Sequence, residues 1–145
     1  MLMNFVLGFA VMALCLLLQA LLFAAALRYY SRRGHLVGDA SMWSTFSVIS
    51  SVMLILVLGN LAQVAAWAGL FQLLGEFTDF GTAFYHSAVN FSTLGYGDIV
   101  MSEQHRLLGP MEAINGVLMI GASTAALMTS LRDALQRTFE ARDDS

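Results

Sequence analysis

The chain has 145 residues, 58% of them hydrophobic and only 12% charged, with a net charge of −3 and no lysine. A water-soluble domain carries about 25% charged residues, so too little polar surface is present to face water on all sides, and the chain is expected to lie in a lipid bilayer. The arginines form no basic patch, so no nucleic-acid partner is expected. The single Cys15 sits in an apolar run, where it can make no intrachain disulfide and reads as a small packing residue.

The first apolar run covers residues 2–27 and is interrupted by Asn4, Gly8 and Gln19. About 20 helical residues cross a hydrocarbon core roughly 30 Å thick, so residues 1–28 are expected to form a transmembrane helix. The opening Met1-Leu2-Met3-Asn4 carries no positive side chain, and the run exceeds the roughly 7–15 apolar residues of a secretory signal. A retained span is therefore expected, in spite of the Ala24-Ala25-Ala26 stretch. Residues 29–42, with Arg32, Arg33 and His35, read as a loop.

The second run is expected as a helix over 43–74, with mild polar residues such as Asn60, Gln63 and Gln72. Trp43 and Trp67 are separated by roughly 36 Å of helix, which predicts one at each membrane interface. Residues 80–92 are apolar but too short to cross, which fits a re-entrant helix. They run into Thr93-Leu94-Gly95-Tyr96-Gly97, where two glycines around an aromatic break the helix and permit positive φ. Irregular backbone at membrane depth is tolerated only where protein buries it or water meets it. A third span is expected over 107–131. Residues 132–145 then form a short tail, too small for a ligand-binding domain.

Arg28, Arg32 and Arg33 lie in the stretch between the first and second spans, while Arg132, Arg137 and Arg142 follow the third. The positive-inside rule places that loop and the C-terminus in the cytoplasm and the N-terminus outside. No span carries arginine at every third position, so no voltage sensor is expected. No nucleophile, metal-ligand or phosphate-loop pattern suggests catalysis.

The stretch Phe91-Ser92-Thr93-Leu94-Gly95-Tyr96-Gly97-Asp98 resembles the pore signature of potassium channels, whose filter usually reads TVGYG followed by Asp. The resemblance covers residues 43–131 as outer helix, pore helix, filter (93–97) and inner helix, in the family's order. It implies an all-α membrane protein with three transmembrane helices per subunit, a re-entrant pore helix and an extended filter, assembled as a homotetramer. It also implies an integral protein of the bacterial inner membrane that passes K+ without any cofactor. The bacterial two-helix channels lack the extra first span, and the sequence names neither a regulatory partner nor a gating stimulus.

In that family, carbonyls from Thr93, Leu94, Gly95 and Tyr96 would replace the water shell of K+, and the Thr93 hydroxyl would supply the innermost ring. Gly97 would keep the carbonyls aligned, Tyr96 would turn outward as a brace, and Asp98 would hold the external mouth. Leu94 departs from the usual Val, although only its carbonyl is needed. Val89 replaces a glutamate common behind the filter, so Asp98 must find another partner. Tyr85 is the expected brace on the pore helix, with His86 beside it as a neutral, hydrogen-bonded ring.

Gly121, followed by Ser123 and Thr124, carries two readings: a gating hinge with cavity-lining hydroxyls, or close helix packing shared with Gly116. Glu112, after Pro110, reads as a carboxylate favoured by the positive end of a helix dipole. His35 and His105 read as solvated loop residues. A weakly selective cation channel of the same build, or a non-conducting regulatory membrane subunit, are the alternatives to a potassium channel.

Overall fold

A computed structural model of the protein describes the backbone of residues 2–37 and 42–143 and the side chains of residues 2–32, 43 and 45–136. The side chains of Arg33, His35, Arg137 and Arg142 lie outside the described residues. Four helices make up the described chain: α1 Leu2–Val37, α2 Met42–Leu73, α3 Phe80–Phe91 and α4 Leu108–Asp143, with no strand among the described residues. Three of them contain stretches long and apolar enough to cross a membrane: Leu2–Arg32, Thr45–Leu73 and Leu108–Gln136. Helices suit that setting because every backbone N–H and C=O finds its partner inside its own segment.

α1 does not stop where its apolar run stops. Arg28, Tyr29, Tyr30 and Arg32 continue it to Val37, because a charged side chain marks the edge of the lipid without breaking a helix. The expected loop shrinks accordingly. α4 likewise continues past Leu131 to Asp143, so the tail begins as helix.

α2 ends for a local reason. Gly75 adopts φ +75°, its N–H donates to Gln72 O at 3.0 Å, and the Glu76 N–H donates to Phe71 O at 3.1 Å. This is a Schellman cap, which a residue at positive φ makes possible.

The chain forms two compact units. The first comprises Met1–Gln19 and Gly59–Ile120, and its core holds Cys15, Val64, Trp67, Phe71, Phe91, Leu108, Met111 and Met119. The second comprises Ala20–Leu58 and Gly121–Ser145, with Ala26, Tyr30, Val48, Val52, Leu56 and Ala134 at its centre. There the Tyr30 hydroxyl donates to Asp133 at 2.7 Å, tying α1 to α4.

Trp67 corrects an expectation. It is fully buried and packs against Phe71 with ring centroids 5.9 Å apart, so it presents no face to a lipid headgroup. Trp43 is exposed, as an interfacial residue must be.

In the first unit, polar contacts hold α1 in place. Gln63 Nε2 donates to Gln19 Oε1 at 2.7 Å inside the core, and Asn4 Nδ2 donates to the Gln104 carbonyl at 2.6 Å. Between apolar helices in lipid such bonds contribute direction as well as about 0.6–2 kcal/mol each. The backbone of α1 also comes close to α4 at Gly8, where a Cβ would lie 2.4 Å from the Met111 methyl.

Candidate functional site

The short α3 is built to start and stop sharply. Asp79 caps its N-terminus, accepting from the Thr82 N–H at 2.8 Å and the Thr82 hydroxyl at 3.2 Å, which satisfies an otherwise orphaned donor. At the other end the Thr93 N–H donates to Asn90 O at 2.8 Å and the Leu94 N–H to Val89 O at 2.9 Å. That is a second Schellman cap, now with Thr93 in the left-handed position at φ +60°. A β-branched residue there is strained by about 1–2 kcal/mol.

Residues 93–97 leave α3 through this strained corner. Thr93, Gly95 and Gly97 have φ of 60°, 58° and 72°, while Leu94 and Tyr96 between them stay negative. The sign of φ therefore alternates from residue to residue along the segment, a pattern that glycine adopts without strain. Every residue from Ser92 to Asp98 is exposed in the single chain, Leu94 at 54% and Tyr96 at 67%.

Side chains from α3 hold the far end of the segment. The Tyr85 hydroxyl donates to Asp98 Oδ2 at 2.7 Å. This bond holds the Asp98 carboxyl below its usual range and the Tyr85 phenol above its own, because it favours the ionised acid and the protonated phenol together. Beside it, His86 Nδ1 lies 3.0 Å from the Ile99 carbonyl and Nε2 lies 2.9 Å from Asn90 Nδ2. A carbonyl only accepts and an amide nitrogen only donates, so this pairing suits a neutral ring protonated on Nδ1. The rings of Phe71 and Phe77 pack on His86.

Behind the segment, α4 supports α3 at two points. The Ser87 hydroxyl contacts both the Val64 carbonyl, at 2.8 Å, and Glu112 Oε1. One turn further along α4, Gly116 touches the end of α3 so closely that a Cβ would lie 1.9 Å from the Phe91 carbonyl oxygen. A cavity of about 370 Å³ opens between Thr93, Gly95, Gly97, Val89 and Asn90 on one side and Gly109, Pro110 and Ala113 on the other.

The loop above is pinned by Glu76. Its carboxylate accepts from the Ser102 N–H at 2.7 Å, the Ser102 hydroxyl at 2.5 Å and His105 Nδ1 at 2.5 Å. Burial pushes the Glu76 carboxyl up, but the Ser102 bonds and the His105 ring outweigh it and hold the group below its usual value.

The residues singled out in the sequence are thus brought together unevenly. Thr93 to Asp98 follow the C-terminal end of α3, where Val89 is buried, and Tyr85 reaches Asp98 from the middle of that helix. Gly121 lies in the second unit with no atom within 4 Å of the place a Cβ would take, Ser123 is buried and Thr124 is exposed. His105 is bound to Glu76 and is not a free loop residue. Glu112 is not a first-turn carboxylate: α4 begins at Leu108, its first turn holds no acid, and Glu112 is fully buried. Ser87 and Asn90 carry no signal in the sequence that marks them as site residues. Each is a polar residue in an apolar segment, which marks a contact without naming its partner.

A family model described as an ion channel matches residues 61–133, half of the chain. This region holds the end of α2, all of α3, the 93–97 segment and most of α4. The chain belongs to this ion-channel family. It is a membrane protein of the two-transmembrane pore type, carrying an additional apolar helix, α1, before the family's region. Comparison with curated proteins and with solved structures returns no match.

Proposed function

We propose that the chain is one subunit of a homotetrameric, potassium-selective channel of the bacterial inner membrane, with residues 93–97 as its filter and α3 as its pore helix. Carbonyls of Thr93, Leu94, Gly95 and Tyr96 from four subunits replace the hydration shell of K+, and the Thr93 hydroxyl closes the inner end. Gly97 completes the alternating backbone, and Asp98, kept ionised by Tyr85, concentrates cations at the external mouth. In this reading the N-terminus lies outside and the C-terminus in the cytoplasm. Gly121 and Thr124 face the water-filled pore as hinge and lining. No cofactor takes part; K+ is the cargo.

The observation that carries the reading is the alternation of φ sign at Thr93, Gly95 and Gly97 at the end of a capped 12-residue helix. Exposure supports it: an irregular segment with free carbonyls, Leu94 and Tyr96 uncovered, cannot face lipid and calls for protein or water around it. Further copies of the chain, arranged about an axis beside the segment, supply both.

The test is potassium flux from liposomes holding purified protein, with chemical cross-linking to count subunits. Flux with tetrameric cross-links, abolished by Gly95→Ala, is expected, because a Cβ at φ +58° breaks the alternation. Flux that survives Gly95→Ala sinks the assignment of the filter, and a protein that never conducts is a regulatory subunit instead.

A further inference from the structure

Ser87 is fully buried, and its hydroxyl oxygen lies within bonding distance of two oxygens on different helices: the Val64 carbonyl of α2, at 2.8 Å, and Glu112 Oε1 of α4. A hydroxyl has one proton to give. The Val64 carbonyl can only accept, and so can an ionised carboxylate. With Glu112 charged, one of the two contacts would set lone pair against lone pair. Both are satisfied only when Glu112 itself carries a proton: Glu112 then donates to Ser87 Oγ, and the Ser87 hydroxyl donates to Val64.

The surroundings agree. Glu112 is fully buried, and the groups facing it among the described residues are neutral hydrogen-bonding ones. The Cys15 thiol comes from α1 and the Val64 carbonyl from α2. α3 brings Ser87 and Asn90, with the His86 ring beyond Asn90. Among the described residues no arginine is paired with Glu112, and a carboxylate sealed away without a cation is costly.

We infer that Glu112 is a proton-holding positioning residue, which as the neutral acid links α4 through Ser87 to α2 and so clamps the helix from which residues 93–97 emerge. With Val89 apolar, the carboxyl behind α3 comes from α4 and not from α3 itself. Loss of the proton puts a repulsive contact into this clamp. The consequence for conduction rests on residues 93–97 being the filter; the proton on Glu112 does not.

Infrared spectra and potassium flux of the full-length protein in lipid test this together. At neutral pH the wild type is expected to show a carboxylic-acid carbonyl band that Glu112→Gln removes and Ser87→Ala shifts. Glu112→Gln, whose amide N–H can replace the donor, is expected to keep flux within about threefold, while Ser87→Ala lowers it about tenfold, the scale of one lost buried hydrogen bond. Raising the pH is expected to reduce wild-type flux reversibly, to leave Glu112→Gln unaffected, and to act on Cys15→Ser as on the wild type. Absence of the band, or the same alkaline loss in Glu112→Gln, overturns the proposal. Should Ser87→Ala fail to fold, the band and the Glu112→Gln comparison still decide. If the wild type passes no K+, the filter reading fails, and the band alone decides the proton.

Discussion

Replacing Gly116 by Ala places one methyl group where α4 meets the end of α3. The new Cβ would lie 1.9 Å from the Phe91 carbonyl oxygen, 2.7 Å from its carbon and 2.9 Å from its Cα. All three are backbone atoms of a capped helix, so no flexible side chain can yield. Reaching ordinary contact requires α4 to move away by more than an ångström, which also pulls on the Glu112–Ser87 contact one turn earlier. Overpacking of a well-filled core costs about 1–3 kcal/mol, and contact between two rigid backbones belongs at the upper end of that range. Gly121→Ala is the control. No atom lies within 4 Å of its Cβ position, and Ala is favoured over Gly in a helix by about 1 kcal/mol. Thermal unfolding of the two variants in one detergent is the assay, read beside flux. Gly116→Ala is expected to be strongly destabilised, and Gly121→Ala as stable as the wild type or more so. Equal stabilities would refute the claim that Gly116 is a packing residue and Gly121 is not. A flux defect in a stable Gly121→Ala would then speak for a hinge.

Three further outcomes are expected. Tyr85→Phe removes the donor to Asp98, so the Asp98 carboxyl returns toward its usual range, and flux should fall at a higher pH than in the wild type as protons neutralise the mouth; an unchanged acid limb contradicts the Tyr85–Asp98 bond. Glu76 is held below its usual value of 4.5, so the folded loop binds fewer protons than the unfolded one. Its stabilisation is complete above that value and is lost as pH falls through the depressed one; hydrogen exchange of the 100–106 loop should rise there, and Glu76→Gln should abolish this dependence. Gln63→Leu should weaken the attachment of α1 by about 1–2 kcal/mol because the buried Gln63–Gln19 bond is lost, and a double-mutant cycle of Gln19→Leu and Gln63→Leu in thermal unfolding should show a coupling between the two positions.

The apolar runs made all four helices legible, because lipid leaves a long apolar segment little choice but a helix. α3, Phe80–Phe91, ends within a residue of the expected 92 because the apolar run and the glycines of the following motif act locally. What escaped was everything set by tertiary contact. Thr93 at positive φ runs against the expectation for a β-branched residue, and the cap of α3 imposes it. Gly116 and Gly121 look alike in sequence, yet only one meets another backbone. Trp67 has the composition of an interfacial anchor but is enclosed beside Cys15 and Phe71. Glu112 stands 25 residues from Ser87, and no spacing rule links an acid on one helix to a hydroxyl on another. The end of α1 escaped too, since arginine and tyrosine prolong a helix as readily as they flank one.

The central claim is that residues 93–97 select potassium by their carbonyls, and the most direct test is the reversal potential of the reconstituted protein with K+ on one side and Na+ on the other. A current that reverses near the potassium equilibrium potential is predicted, with Gly95→Ala silent or unselective. A wild-type current reversing near zero would contradict it and leave a weakly selective cation pore in its place.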